Sequence, residues 1–495
     1  MILLPAEKIF NMDQSYHIAI DMGAGSIRVL VGKVENDLIS YEEVYRFANE
    51  IKTIDGHDKW DIEKIFEDIR KGISAALKNN PSIKSVGVDS WGVDYVLLNE
   101  KGELVEIPYA YRDSRTENMM EKWTRLMSEE ETFKRTGVNF YVFNTLFQLL
   151  AAKNSKALKK TDKILFIPNY IYYRLTGVKF NEITIASTSQ LLSAADPEFD
   201  TEILDKLGLH PDKFGSLEKA GKIIGKITDT ALPPNNLKAV SVCSHDTASA
   251  VAAIPVEKED FLFIATGTWC ILGTESKIPL LTEPARALGF TNERGCEDTF
   301  RVLKNIVGLW LIQGIQKALP DHPSFDELEK MADKEKDLNL LVDPESPLFY
   351  NPDNMLEAFD AYFEKTGQSK PSSVGGYIVC AYKSLSVAFA YYLNKLQKLT
   401  DKTYEDVHVF GGGSQSEMLC QLIADYTGKT VVSGPVEAAT YGNIMVQAIA
   451  YGNIKNIKEG RRIIGKSITP KHYKPAVKQV QREEIFKKYI SLKTY

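Results

Sequence analysis

The sequence predicts an α/β protein of two similar domains that face each other across a cleft. Three observations predict it. A chain of 495 residues is too long for a single hydrophobic core. A hairpin of two apolar β-type runs around a small-residue turn occurs twice, over 17–34 and 261–276. After each hairpin, helical periodicity leads to a strand followed by a glycine turn, the pattern of layered α/β domains.

Residues 1–15, MILLPAEKIFNMDQS, precede the first clear strand and read as a loose extension or as an early translation start. The first hairpin, HIAIDMGAGSIRVLVGKV, turns through Gly23, Ala24, Gly25 and Ser26, with Asp21 near the end of its first strand. Small residues with free N–H groups can cup a phosphate, but a tight hairpin also needs glycine for positive φ without any ligand. A dinucleotide-binding reading fails because a strand follows where a helix is needed. No Gly-Lys-Ser or Gly-Lys-Thr occurs in the chain, so the Walker loop is absent too. Ile62, Ile65, Phe66, Ile69, Ile73, Ala76 and Leu77 then recur at helical spacing and lead to SVGVDSWGVDY, a strand and turn at 85–95. Residues 239–242 read as a buried strand, and Ala248, Ala250, Val251 and Ala252 as a closely packed helix. Between them stand His245, Asp246 and Thr247, where Asp246 is either a helix N-cap or a functional carboxylate. IPVEKED, at 254–260, marks the expected boundary and hinge.

The second hairpin, FLFIATGTWCILGTES, turns through Thr266, Gly267 and Thr268. A helical stretch over 371–398 leads to VHVFGGGSQSEML, again strand, glycine turn and helix. The end, 454–495, is rich in Lys and Arg interleaved with Ile, Val, Tyr and Phe, which predicts a solvated surface and not a binding tail.

Hydrophobic residues make up 44% and charged residues 25%, an ordinary globular balance. The net charge of −6 argues against a nucleic-acid partner. Cys243, Cys270, Cys296, Cys380 and Cys420 are far apart and odd in number, which predicts reduced thiols. No run approaches the ~18 apolar residues of a membrane span, and no signal-peptide order is seen at the start. These observations predict a cytoplasmic protein without a membrane or nucleic-acid partner.

Longer stretches carry a resemblance. DSWGVDYVLLNEKG, YRDSRT, FNTLFQL, SHDTASAV, GTW, RVLKNIVGLWLIQ and GPVEAATYGNI, within the span from about 17 to about 452, resemble the FGGY carbohydrate kinases of the actin-like ATPase superfamily. Two departures fall inside the matched stretches: the first loop reads GAGSIR where a serine pair is frequent, and Ile185 stands where Asn is common. The resemblance implies two actin-like (ribonuclease H-like) domains facing each other across a catalytic cleft. It divides the chain into an extension at 1–15, a sugar- and phosphate-binding domain at 16–254, a nucleotide-binding domain at 255–455 and a C-terminal segment at 456–495. The implied activity is ATP-dependent phosphorylation of the 1-hydroxyl of L-rhamnulose in L-rhamnose catabolism, with L-fuculose, L-xylulose or glycerol as alternative acceptors.

The resemblance assigns Asp246 as general base. A sugar hydroxyl is a poor nucleophile at neutral pH, and a carboxylate within hydrogen-bond reach can take its proton as the bond to phosphorus forms. Gly92, His245, Thr247 and Asn305 would join it at the sugar, while Trp91 offers a flat face or is a core tryptophan. Ala24, Gly25, Ser26, Ile27, Arg28 and Thr268 would hold phosphates, Gln313 would contact the nucleotide, and Gly412 would admit the adenosine against bare backbone. Asp21 would organise Mg²⁺, through water, since that ion needs few protein carboxylates. His245 read alone is a structural histidine, Asn305 and Gln313 read alone are exposed polar residues, and Glu437 and Asn443 read as packing residues. The competing class is a non-catalytic actin-like ATP-dependent switch, which needs the hairpins but not Asp246 with its neighbours. The partners implied are ATP and a small ketose, in a monomer or small homo-oligomer.

Overall fold

The computed structural model describes residues 14–80 and 82–493, and each half of the chain builds one mixed sheet. The first runs Lys222–Lys226, Lys238–Ser241, Ile83–Ser90, Ser15–Met22, Ser26–Glu35, Leu38–Ala48. The second runs Thr291–Arg294, Phe300–Val307, Trp269–Ser276, Leu262–Thr266, Asp406–Gly411, Thr430–Ser433, Lys471–Tyr473. Both contain the same unit: three antiparallel strands in chain order, then two strands parallel to the first. The duplication seen in the hairpins therefore extends to strand order and direction.

Local chemistry accounts for these elements. The first turn closes with Gly23 N–H donating to the Ser26 carbonyl at 3.0 Å. The helix Ile62–Asn79 starts at Asp61, whose side chain accepts from the Lys64 N–H, and its predicted apolar stripe is the face it buries. Each fully buried Ile, Leu or Phe of such a stripe stabilises by about 1.5–3 kcal/mol. The helix expected over 371–398 is Val374–Thr400, because Ser373 caps it by accepting from Gly376 N–H and Pro371 lies before the cap. The expected extension at 1–15 falls outside the described residues up to 13, and Ser15 already begins the first strand.

The C-terminal part of the chain returns to the first sheet. Helix Ala438–Ala450 packs on strands Ser15–Met22 and Ile83–Ser90, with Gln447 Nε2 donating to the Ile18 carbonyl at 2.9 Å. It also crosses helix Asp246–Ala252 so closely that a Cβ on Gly442 would lie 1.9 Å from the Ser249 carbonyl oxygen. Helix Ile457–Ser467 buries Ile457, Ile463 and Ile464, and helix Gln479–Leu492 buries Tyr489 and Leu492. The chain's end is thus packed through these apolar residues, and Arg461 is buried with them, donating to the Ala252 carbonyl at 3.1 Å and to Glu275 at 2.8 Å. Between Ile83–Ser90 and Lys222–Lys226 the chain forms a lobe with its own core, around Trp123, Phe147, Phe166, Ile185 and Phe214. All five cysteines are buried and free. Among the described residues, no helix is long and apolar enough to cross a membrane.

Candidate active site

Three parallel strands of the first sheet end side by side. Register places Asp21, next to last on Ser15–Met22, beside Asp89 on Ile83–Ser90. Past Lys238–Ser241 the chain meets the same edge, where Ser90 N–H donates to the Ser244 carbonyl at 2.9 Å and Ser90 pairs with His245. Asp21, Asp89 and Asp246 therefore gather at the carboxyl edge, where α/β sheets form their ligand sites. Burial raises the pKa of Asp21; Arg28 opposes the rise, and Asp246 and Glu437 add to it. Burial also raises Asp89 well above the ordinary carboxylate range, Asp21 adds to this, and Asn443 Nδ2, donating at 2.6 Å, offsets part. The second oxygen of Asp89, Oδ1, is buried without a partner. Crowded carboxylates and an orphaned oxygen fit a hydrated divalent cation. Among the described residues no three acidic, His or Cys side chains converge to hold a metal unaided, so any such ion would keep most of its water.

Asp246 is the first residue of its helix, and His245 occupies the N-cap position without a side-chain capping bond. The N-cap alternative for Asp246 is therefore not what the structure shows. Its Oδ1 accepts from the Thr247 N–H and, at 3.1 Å, from the Thr247 hydroxyl, while His245 Nε2 lies 3.4 Å away. The side chain is 34% exposed, enough to meet a ligand.

Gly92 lies in the loop after Ile83–Ser90, and a Cβ there would come within 3.1 Å of Thr188 Oγ1. The next residue, Val93, has φ 67°, which is strained for a β-branched side chain. The loop is held in this conformation by Thr188 Oγ1, which accepts from Val93 N–H at 3.0 Å, and by the Thr145 hydroxyl, which donates to the Val93 carbonyl at 2.6 Å. Beneath it, Asp94 accepts from the indoles of Trp60 and Trp91 at 2.7 and 3.0 Å and from Gln148 at 3.0 Å. Burial pushes Asp94 up to about 6, and these bonds restrain the shift. Trp91, buried 4.6 Å from the Trp60 ring, is thus a core residue.

In the first turn Gly25 borders open space, while Ala24 and Ser26 are half-buried. Ile27 sends its side chain into the core, so only its main chain could reach a phosphate. The Arg28 guanidinium is engaged by Asp21 and, at 2.6 Å, by Glu437. In the second sheet the Thr268 carbonyl accepts from Gly308 and Trp310 N–H groups, both at 3.1 Å, tying the turn to the helix Trp310–Ala318 that carries Gln313. The Thr266 hydroxyl donates to the Phe410 carbonyl at 2.6 Å and joins that turn to the next. Gly411, at φ +82°, leaves no room for a Cβ, which would lie 2.5 Å from the Thr266 carbonyl oxygen. Gly412 is the opposite case: it is exposed, and a Cβ there would meet nothing within 4 Å. Asn305, half-buried on Phe300–Val307, meets the hydroxyl of Tyr141 from the first half, which burial pushes up to about 12.

Asp21, Arg28, Gly92, His245, Asp246 and Thr247 thus share one sheet edge, while Thr268 and Gly412 stand on turns of the second sheet and Gln313 on the helix tied to the Thr268 turn. The cavity of about 200 Å³ lined by Glu182, Arg294, Cys296 and Val446 is elsewhere, beside the Glu182 carboxylate that accepts from Ser244 N–H. Asp89 is not among the expected site residues, although it stands next to last on its strand as Asp21 does. Glu437 and Asn443, expected to be packing residues, bind Arg28 and Asp89.

Residues 16–253 match the N-terminal domain of the FGGY family of carbohydrate kinases, and residues 262–451 match its C-terminal domain. The chain belongs to the FGGY carbohydrate kinases. It is 37% identical over 476 residues to a rhamnulokinase of Bacillus subtilis, covering 96% of this chain and 98% of that one. With a rhamnulokinase of Bacteroides thetaiotaomicron it shares 38% over 469 residues, 94% and 96% of the two chains. Its fold is similar to that of a gluconate kinase from Lactobacillus acidophilus, at TM-score 0.80 and 16% identity over 97% and 98% of the chains. A glycerol kinase of Plasmodium falciparum with ADP superposes at TM-score 0.78 and 13% identity over the same shares. The two-sheet architecture is therefore that of FGGY kinases of known structure.

Proposed function

We propose that this kinase transfers the γ-phosphoryl group of ATP to the 1-hydroxyl of L-rhamnulose, giving L-rhamnulose 1-phosphate and ADP. The observation that carries the choice of sugar is the 37–38% identity, over nearly the whole chain, to relatives named rhamnulokinase. The geometry supports the chemistry: Asp246 stands at the carboxyl edge of the first sheet with an accessible carboxylate, near two further acids, and the turns at Gly25 and Gly412 border open space. Asp246 takes the proton of the 1-hydroxyl as that oxygen bonds to the γ-phosphorus, and the bond from phosphorus to the bridging oxygen breaks to release ADP. His245, Thr247, Gly92 and Asn305 orient the sugar. Residues 24–28 offer main-chain N–H groups to the phosphates, with Thr268 opposite, and Gln313 and Gly412 receive the nucleoside. Asp21 would hold Mg²⁺ through water, and the ion would neutralise phosphate charge. The five free, buried thiols support work in the cytoplasm.

Incubation with ATP, Mg²⁺ and L-rhamnulose tests this reading. The expected product shows one phosphate ester on C1 by ³¹P–¹H correlation, in step with ADP formation. Absence of ADP formation, or an ester at another carbon, contradicts it.

A further inference from the structure

Glu293 and Arg301 stand directly opposite each other on the antiparallel strands Thr291–Arg294 and Phe300–Val307, and both are buried. Arg301 Nη2 lies 2.8 Å from Glu293 Oε2. Both groups also face one nitrogen of the first half: His245 Nδ1 is 3.1 Å from Arg301 Nη2 and 3.2 Å from Glu293 Oε2. A guanidinium only donates and a carboxylate only accepts. Bonded to Arg301, Nδ1 carries the lone pair, and the neutral ring has its hydrogen on Nε2. Bonded to Glu293, Nδ1 carries a hydrogen, and the ring is either the imidazolium or the opposite neutral tautomer. That opposite tautomer would turn a bare Nε2 lone pair toward the Asp246 Oδ1 carboxylate oxygen, 3.4 Å away, and the repulsion disfavours it. In both remaining states Nε2 carries a hydrogen and stands 3.4 Å from Oδ1.

Oδ1 already accepts from the Thr247 N–H and hydroxyl, while among the described residues no hydrogen bond is made to Oδ2. We propose that Glu293 and Arg301 are positioning residues for the phosphoryl transfer. By keeping a hydrogen on His245 Nε2 they commit Oδ1 of Asp246 to the protein and leave Oδ2 as the oxygen that takes the sugar proton. Glu293 and Arg301 belong to the second sheet and His245 and Asp246 to the edge of the first, so the arrangement of the two sheets sets the orientation of the base. The inference rests on the kinase reading for its catalytic consequence, but not for the tautomer itself.

Long-range ¹H–¹⁵N spectra of histidine-labelled protein read the tautomer without turnover, with the His245 signals identified by their loss in His245→Gln. The expected result is a protonated Nε2. A bare Nε2 with a hydrogen on Nδ1 overturns the proposal, whatever the activity. Arg301→Lys keeps the charge beside Glu293 but loses the fork that reaches Nδ1. It should add a hydrogen at Nδ1 in the spectrum while Nε2 keeps its own, and the added positive charge beside Asp246, which weakens it as a base, should lower kcat on the order of 10²-fold with the ATP KM unchanged. Either parental kcat or an unchanged His245 spectrum in folded Arg301→Lys overturns the proposal, and if that variant does not fold, the parental spectrum still decides. Failure of the intact chain to phosphorylate any sugar would refute the kinase reading and leave the tautomer measurement standing.

Discussion

Gly412 and Glu293 show what single residues contribute and how differently the sequence displays them. Gly412 was legible because a triple-glycine turn after a strand is a local signal. Its open surroundings give a sharp test: Gly412→Leu should fold with unchanged Tm and raise the ATP KM, since the new side chain enters the space assigned to adenosine. An unchanged KM would remove Gly412 from the nucleotide site. Glu293 was not legible, because its role depends on strand pairing with Arg301 and on contact with His245, which is distant in sequence. Burial alone would raise its pKa, but Arg301 and His245 outweigh this and depress it from 4.5 to about 2. A depressed carboxylate contributes stability that is fully present above its unfolded pKa and lost as pH falls through the folded value. Denaturant titrations between pH 5 and pH 3 should therefore show a shallower loss of stability for Glu293→Gln than for the parent. Parallel curves would contradict the pairing.

At the scale of elements, the two hairpins and helix Ile62–Asn79 could be read in advance because period and turn chemistry are local. The third strand of the first sheet, Leu38–Ala48, could not. It carries Glu42, Glu43 and Arg46 on a partly exposed edge and lacks an apolar run, so only its ladder with Ser26–Glu35 identifies it. Helix Ala438–Ala450 was recognisable by its small residues, but its place against the first sheet was not, because tertiary packing decides that. Gly442 marks the crossing. Gly→Ala inside a helix ordinarily stabilises by about 1 kcal/mol. Here the Cβ would lie 1.9 Å from the Ser249 carbonyl oxygen, and overpacking of about 1–3 kcal/mol should win. The measurement is the denaturant midpoint of Gly442→Ala, expected below that of the parent; a raised midpoint would show that the crossing yields.

Across the whole molecule, the proposed site is divided between the sheets, with Gly92, His245, Asp246, Thr247 and the turn at 24–28 on the first and Asn305, Thr268, Gln313 and Gly412 on the second, so neither half holds a complete site. Water admitted to the cleft would compete with the sugar hydroxyl for the activated phosphate. The segment 254–260, irregular between helix Asp246–Ala252 and strand Leu262–Thr266, is where relative motion would be absorbed. L-rhamnulose with a non-hydrolysable ATP analogue should compact the protein more than either ligand alone, and small-angle scattering with identical dimensions in all four ligand states would contradict closure. The separate lobe between Ile83–Ser90 and Lys222–Lys226 was invisible to the duplication argument because it has no counterpart in the second half, yet it supplies Thr145 and Thr188, which hold the Gly92 loop.

ADP release by the intact chain and by Asp246→Asn across a sugar panel tests whether L-rhamnulose is phosphorylated with Asp246 as base. L-rhamnulose should give the highest kcat/KM, above L-fuculose, L-xylulose and glycerol, with slow hydrolysis when sugar is absent. Asp246→Asn should still bind ATP while turning over on the order of 10²–10⁴-fold more slowly. A higher kcat/KM for another acceptor, or near-parental turnover by Asp246→Asn, would contradict it.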